Sequence, residues 1–191
     1  MDEAGRADLM ATSVARAARA AGLDDQGFEL LARAHALAMS PRVAALEDDH
    51  HPAYLHPGRA VLLLLRDVGP LPATTLAVAA VHETVDEELR VSEEAVRAEL
   101  GGEVGDVLAT LPAPAQEGLA ERLVTLDEQA RFAALAERLD QLRHAHMRPD
   151  LDWRAAWEEA GTVWLPVAER THPRLGDRFR NWHRAYGRRL K

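Results

Sequence analysis

The sequence contains no cysteine, and this absence excludes two classes of structure. Disulfide bonds cannot form, and neither can thiolate metal sites, so any bound metal would take nitrogen and oxygen ligands. No apolar run approaches the ~18 residues that a membrane-spanning helix needs. The N-terminal segment also lacks the basic and then apolar pattern of a signal peptide. Together these absences favour a cytoplasmic protein with no membrane partner.

Aromatic residues make up only 5% of the chain, and patterns typical of β-strands are nearly absent. Alanine-rich segments with apolar residues at helical spacing follow one another instead, separated by proline or glycine. They predict helices at residues 5–21, 26–39, 57–67, 72–88, 92–100, 103–110, 117–146, 151–170 and 173–189. A length of 191 residues suits one domain with one core. We therefore predict an all-α fold, a single-domain helical bundle that spans residues 1–191.

The net charge of −8 is unevenly distributed along the chain. From His172 onward there are seven Arg or Lys residues and one acid, while the preceding part carries −14. Such an acidic body argues against general binding to nucleic acid. The basic helix at 173–189 could bind phosphate or an acidic partner, or could dock its aromatic residues and leave its arginines in solvent. Assembly into a homo-oligomer stays open.

The segment LAVAAVHETVDEE, residues 76–88, carries the clearest chemical signal. Its first six residues are apolar on every side, which predicts a helix that is buried all round. If that helix continues, one arc of it carries four polar side chains, His82, Glu83, Asp86 and Glu87. An imidazole and three carboxylates are costly to bury unless a cation compensates them. A divalent metal ion is the simplest such cation.

Two other interpretations of this segment stay open. In the first, the helix reaches the surface after Val81 and its acids are merely solvated. In the second, the segment is a zinc site, because His82-Glu83-x-x-Asp86 approximates the H-E-x-x-H pattern. That pattern requires a histidine at the position of Asp86, so the zinc interpretation is the weaker one.

Two further segments strengthen the metal hypothesis. His56 lies just before a predicted helix, in the sequence AYLHP, and Glu137 lies in the middle of the apolar helical segment LAERLDQLRH. The order of these segments resembles the HD-domain superfamily, whose metal is held by one His, a later His-Asp pair and a distant Asp. It is most similar to the branch that hydrolyses ppGpp, guanosine tetraphosphate, in RelA/SpoT-type proteins and small stand-alone hydrolases.

Five motifs of that branch have counterparts here, in the same order over about residues 28–170. They are Ala34-His35, Ala53–Pro57, Ala79–Glu87, Leu100–Leu108 and Leu135–Arg143. The resemblance implies an HD-type fold with one divalent ion, Mn²⁺ first and Zn²⁺ or Fe²⁺ as alternatives, held by His56, His82, Glu83 and Glu137. It also implies that Asp86 and Glu87 act on the attacking water. The expected substrate contacts are Arg42, Arg138 and Gln141.

The chain departs from the family pattern at the functional positions. Glu83 and Glu137 replace aspartates, Gln141 replaces an asparagine, and a Glu-Asp pair is inverted to Asp86-Glu87. Each change keeps the functional group and alters its reach by one methylene. The loop before His56 is acidic where the family has a basic segment, which weakens the case for ppGpp itself because a phosphorylated ligand needs cations.

We therefore expect metal-dependent hydrolysis of a phosphoanhydride or phosphoester in a small nucleotide substrate. The 3′-pyrophosphate of ppGpp is the first candidate. Another nucleotide phosphohydrolase on the same fold is the nearest alternative. The second alternative is a non-catalytic HD-like module that binds a partner or serves a structural role.

Overall fold

The computed structural model describes residues 5–46, 48–112, 117–148 and 151–189. None of these residues forms a β-strand, which confirms the prediction of an all-α fold. The helices are α1 (Arg6–Ala20), α2 (Asp25–Ala45), α3 (His56–Asp67), α4 (Ala73–Val81), α5 (Glu93–Leu100), α6 (Gly102–Thr110), α7 (Leu119–Thr125), α8 (Glu128–His144), α9 (Trp153–Glu159), α10 (Leu165–Thr171) and α11 (Pro173–Gly187). A π-helical segment, Ala160–Trp164, joins α9 to α10, and short 3₁₀ turns lie at Glu87–Leu89 and Ala145–Met147. Within the described ranges, no helix is both long and apolar enough to cross a membrane.

Helix α4 lies at the centre of the core. Its residues from Thr74 to Val81 are all buried, as predicted for a helix that is apolar on every side. Helices α2, α3 and α8 pack against it, and α3 and α8 also pack against each other. This arrangement brings the start of α3, the end of α4 and the middle of α8 together, which positions the candidate site.

Side chains at the helix starts account for several boundaries. Asp24 accepts a hydrogen bond from the Gly27 amide at 2.8 Å, and Ser92 accepts one from the Ala95 amide at 3.2 Å. Asp127 caps α8 in the same way, through the Ala130 amide at 2.8 Å. Each cap satisfies an N–H group that has no partner within its own helix. The Asp127 cap also explains why the predicted helix 117–146 is two helices, α7 and α8.

Helix α2 continues to Ala45, six residues beyond its predicted end. Pro41 lies inside it and costs one backbone hydrogen bond. The next residue, Arg42, stabilises the last turn of α2. Its guanidinium donates to the carbonyl oxygens of Ala38 at 2.6 Å and Ala53 at 2.9 Å. Arg42 therefore lies on a helix and not in the predicted loop. Glu47, part of the acidic segment of that loop, lies outside the described residues.

The predicted helix 72–88 ends at Val81, so the expectation that four polar side chains share one helical arc is wrong. Glu83 turns its carboxylate back onto the chain and accepts from the amides of Val85 at 2.9 Å and Asp86 at 3.2 Å. Such local side-chain bonds compete with the helical hydrogen-bond ladder. The branched side chains of Thr84 and Val85 further disfavour a helix.

Candidate functional site

Asp140 on α8 holds the first part of the site together. It is fully buried, and its carboxylate accepts hydrogen bonds from His56 Nδ1 at 2.8 Å and from Arg59 Nε at 3.0 Å. Burial by itself raises the pKa of Asp140, but the His56 hydrogen bond and the charges of His56 and Arg59 outweigh it and lower the pKa to about 2. Asp140 is therefore ionised at neutral pH.

This pairing orients the imidazole of His56 at the start of α3. Burial opposes its protonation, but the Asp140 hydrogen bond and the charges of Asp140, Glu83 and Glu137 raise the pKa of His56 above its ordinary value. With Nδ1 bonded to Asp140, the other ring nitrogen, Nε2, is buried and has no hydrogen-bond partner among the described residues. A carboxylate on one ring nitrogen is typical of metal-binding histidines, and His56 could bind an ion through Nε2 once the proton favoured by its raised pKa is released.

Glu83 lies directly after α4 and pairs with Arg42. The distance from Arg42 Nη2 to Glu83 Oε2 is 2.5 Å, and at most 3% of either side chain is exposed. Burial raises the pKa of Glu83, but the charges of His56 and Arg42 and two backbone N–H groups outweigh it and lower the pKa. Arg42, predicted as a substrate contact, also donates to three backbone carbonyl oxygens, those of Ala38, Ala53 and Leu89. Its guanidinium is thus bonded within the fold.

His82 neighbours Glu83 and is only 8% exposed. Its Nδ1 is buried and has no hydrogen-bond partner in the part of the chain that the structure describes. Burial and the positive charge of His56 lower the pKa of His82 to about 4. The ring is therefore neutral at pH 7, which is the form that binds metals.

Glu137 reaches the same region from α8 and is only 2% exposed. Its carboxylate accepts hydrogen bonds from Thr84 Oγ1 and from Gln141 Nε2, the latter at 2.5 Å. Burial raises the pKa of Glu137 to about 7, although the charge of His56 and the Thr84 bond act in the opposite direction. Gln141, predicted as a substrate contact, thus also orients Glu137.

The predicted metal ligands lie in one buried cluster, in which the charges of His56 and Glu83 act on the pKa values of each other and of the remaining two. The four residues are His56, His82, Glu83 and Glu137. Three of the roughly four acceptor positions of the Glu83 carboxylate are in use, while two remain on Glu137. With two unpaired imidazole nitrogens, this donor set fits a divalent ion that takes nitrogen and oxygen ligands. Within the described ranges, however, no three His, Asp or Glu side chains converge on a common point suitable for an ion. Chelation would require side-chain rotation.

A small cleft with a cavity volume of about 20 Å³ opens beside this cluster, with His56, Glu83 and Gln141 among its lining residues. Asp86 also lines it and pairs with Arg148 at 2.6 Å. His82 lines a different cleft on the other side of Glu83. The two imidazoles therefore approach Glu83 from separate openings.

The other predicted site residues lie outside this cleft. Glu87 is in the 3₁₀ turn, where 86% of its side chain is exposed and its nearest charged partner is Arg90 at 3.8 Å. Arg138 points toward α9, pairs with Glu159 at 3.0 Å and lies over the ring of Trp164. The structure brings neither residue to the first cleft.

Sequence reasoning missed the central role of Asp140 and the cleft residues His144 and Arg148. A signal for Asp140 exists in α8. Its polar residues Glu137, Asp140, Gln141 and His144 repeat at three- and four-residue spacing and so form a polar stripe along one face of the helix. His144 Nδ1 donates to the Asp140 carbonyl oxygen at 2.8 Å. Arg148 follows α8 at a distance in sequence that gives no such signal.

Comparison with models of known protein families and with curated proteins finds no match to this chain.

Proposed function

We propose that this chain is a metal-dependent phosphohydrolase of the HD type. Its reaction is hydrolysis of a phosphoanhydride or phosphoester in a nucleotide, with the 3′-pyrophosphate of ppGpp as the first candidate. The observation that carries this proposal is the His56 side chain. Its Nδ1 is held by buried Asp140. Its Nε2 has no hydrogen-bond partner in the part of the chain that the structure describes, and it lies beside a cluster of imidazole and carboxylate donors.

In this proposal one divalent ion is held by His56, His82, Glu83 and Glu137. Mn²⁺ is the first candidate, with Zn²⁺ and Fe²⁺ as alternatives. When bound, such an ion polarises a phosphoryl group and acidifies water. Arg42 neutralises Glu83 through its bond to Oε2, and Gln141 holds Glu137.

Asp86 is the group best placed to orient the attacking water and take its proton. It lines the first cleft, whereas Glu87 is exposed on the turn beyond it. A carboxylate serves as a general base when it lies within hydrogen-bond reach of the water. Arg148, which pairs with Asp86 at 2.6 Å, holds that carboxylate in place.

The cations of the first cleft suit a phosphate group. Arg59 and Arg148 both line it, and each keeps about a fifth of its side chain exposed. Arginines bind phosphate oxygens through charge-assisted hydrogen bonds. Each is already paired with an acid, Arg59 with Asp140 and Arg148 with Asp86, so a bound phosphate would share them with these carboxylates.

A second candidate function is a non-catalytic helical module, and the ion pairs of the site favour it. Glu83 is neutralised by Arg42, and Asp140 by His56 and Arg59. Glu137, whose pKa is raised to about 7, can be buried partly protonated. In this alternative the buried acids are stabilised within the protein itself and need no metal.

Metal content and thermal stability separate the two candidates. The purified protein should contain about one equivalent of metal, and Mn²⁺ should raise the melting temperature. At 100 times its Kd a ligand adds about 2.7 kcal/mol to stability. The His82→Ala variant should lose this stabilisation, whereas His146→Ala, which alters an exposed histidine, should keep it. If the wild type contains no metal and Mn²⁺ does not raise its melting temperature, the metal-dependent enzyme is excluded and the non-catalytic module is the function that fits.

Hydrolysis is then tested with a panel of nucleotides, starting with ppGpp. We expect Mn²⁺-dependent turnover of one member, reduced at least about 100-fold in Asp86→Asn, as general-base loss predicts. Turnover of a different nucleotide would support a phosphohydrolase but rule out ppGpp as its substrate. Tight metal binding without turnover of any nucleotide would argue against the catalytic proposal.

A further inference from the structure

A second cleft lies on the other side of the His82–Glu83 segment from the cleft assigned to hydrolysis. Its cavity volume is about 240 Å³, and it lies between the end of α4, the segment after the 3₁₀ turn and the C-terminal half of α6. Sites for drug-sized molecules in proteins occupy about 300–1,000 Å³. The cleft is somewhat smaller than these sites, so it suits a small organic ligand.

Most of the wall of this cleft is apolar. It is formed by Val81, Val91, Leu108, Leu111 and Pro112. Leu108 and Leu111 are only half-buried in the protein, although both also pack against the core. A flat hydrocarbon body placed against these residues would be removed from water together with them, which favours binding.

One edge of the cleft is positively charged. Arg90 donates from Nε to the carbonyl oxygen of Glu83 at 3.0 Å, which fixes the direction of its guanidinium, yet 45% of the side chain stays exposed. Its contact with exposed Glu87, at 3.8 Å, is long and open to solvent, so it neutralises little of the charge. Two acids line the cleft, and both are paired with other arginines, Glu93 with Arg97 at 2.8 Å and Glu83 with Arg42 at 2.5 Å.

His82 adds a second polar group to the same cleft. It is nine-tenths buried, it lines the cleft, and its Nδ1 finds no hydrogen-bond partner in the described ranges. That nitrogen is enclosed by the protein and is one of the donors assigned above to the ion, so a ligand in the cleft takes no hydrogen bond from it. The charged edge at Arg90 and the apolar wall thus call for a ligand with two different ends.

We propose that the second cleft binds a small organic anion. Its flat apolar body lies against Val91, Leu108 and Leu111, and its single carboxylate, sulfonate or phosphate group pairs with Arg90. This binding does not rest on the proposed hydrolysis and needs no metal ion. It adds a ligand site to the chain whichever function the first cleft has.

The fluorescent probe 8-anilinonaphthalene-1-sulfonate has this chemistry and tests the proposal in the presence of EDTA. We expect one saturable site per chain. Ala109 is exposed and lines the cleft, so Ala109→Trp should fill the space and weaken binding at least tenfold. Ala98→Trp, at an exposed position of α5 outside the cleft, should bind as the wild type does. If the Ala109→Trp variant binds the probe as tightly as the wild type does, the probe does not bind in the second cleft.

The charge preference is tested with N-phenyl-1-naphthylamine, which has the same ring system without the sulfonate. On the wild type we expect the sulfonate probe to bind at least tenfold more tightly. Arg90→Gln should abolish that difference, while Arg154→Gln, at an exposed arginine of α9, should keep it. If the neutral probe binds the wild type as tightly as the anion, the proposed pairing with Arg90 is wrong, and this result depends on no variant.

Discussion

Glu137 and Asp140 lie one turn apart on α8, yet their pKa values move in opposite directions. Burial raises the pKa of both, because it disfavours a charged carboxylate. At Asp140 the direct bonds to His56 and Arg59 reverse this effect and bring the pKa to about 2. Glu137 is bonded to the neutral groups of Thr84 and Gln141, and its pKa rises to about 7. The hydrogen-bond and charge partners of each carboxylate, more than its depth of burial, decide which of the two acids is ionised.

Replacing Asp140 should therefore destabilise the fold strongly. Asp140→Ala leaves His56 and Arg59 without their buried counter-charge, and breaking a buried pair costs about 3–5 kcal/mol. Urea unfolding of the metal-free protein measures this cost. Asp177→Ala is the control, because the Asp177–Arg180 pair is largely exposed and such pairs contribute at most about 1 kcal/mol. A cost for Asp140→Ala no greater than that of the control would contradict the central role of Asp140.

His35 should make stability depend on pH. It is 6% exposed, and burial together with the charge of Arg42 lowers its pKa below 6.5. Below pH 6.5 the unfolded chain therefore binds a proton that the folded protein does not. The contribution of His35 is complete above pH 6.5 and is lost as the pH falls toward its folded pKa, at up to about 1.4 kcal/mol per pH unit.

The measurement is urea unfolding at pH 7.5 and pH 5.5 in EDTA. The loss of stability between these two values should be smaller in His35→Met than in the wild type. His50→Ala, at a histidine whose side chain is 75% exposed, should show the wild-type loss. An unchanged loss in His35→Met would mean that His35 binds its proton equally well in the folded and unfolded states.

At the scale of elements, the sequence predicts helices well where caps and glycines mark their ends. Helix α5 begins after the Ser92 cap and ends at Leu100, close to the predicted 92–100. The next residue, Gly101, has a φ of +94°, which suits glycine. The end of α4 could not be predicted in this way. It depends on the bonds that Glu83 makes to the following amides, and the apolar periodicity before it contains no sign of them.

The candidate site, too, could be predicted from the sequence only in part. The buried cluster of His56, His82, Glu83 and Glu137 could be predicted from spacing and resemblance. The placement of Arg42 could not, because it follows from α2 continuing through Pro41. Its pairing with Glu83 joins residues 41 positions apart in the chain. Long-range pairing of this kind is a property of tertiary packing and leaves no local pattern in the sequence.

Replacing two helical glycines by alanine should change the stability of the protein in opposite directions. A Cβ at Gly176 in α11 would lie 3.0 Å from Glu169 Cα in α10, so Gly176→Ala should force the two helices apart and cost about 1–3 kcal/mol. At Gly102 in α6 a Cβ meets nothing within 4 Å, so Gly102→Ala should stabilise by roughly 0.4–1 kcal/mol. Urea unfolding of both variants checks the signs. Stabilisation by Gly176→Ala would show that α10 and α11 are not closely packed there.

At the scale of the whole molecule, the basic C-terminal helix is docked onto the acidic body. Leu175, Phe179 and Trp182 are buried on its inner face, and Trp182 Nε1 donates to the Leu142 carbonyl oxygen at 2.8 Å. Arg178 adds two hydrogen bonds to Asp67 at the end of α3, at 2.7 and 2.9 Å. These contacts join α11 to the same core that holds the site.

This docking makes the single-domain prediction testable. All four tryptophans lie between residues 153 and 182, and α1 to α8 contain none. During urea unfolding, tryptophan fluorescence therefore reports on the C-terminal helices, while far-UV circular dichroism reports on the whole chain. For one cooperative domain the two transitions coincide.

Phe179→Ala sharpens this test, because it removes a fully buried ring from α11 and should cost about 3–5 kcal/mol. If residues 1–191 fold as one domain, the variant lowers both midpoints by the same amount, since the loss of packing is shared by every helix in the cooperative unit. A fluorescence midpoint that falls while the main dichroism transition stays in place would show that the C-terminal helices unfold separately. The site on α3, α4 and α8 would then belong to a smaller domain that folds without them.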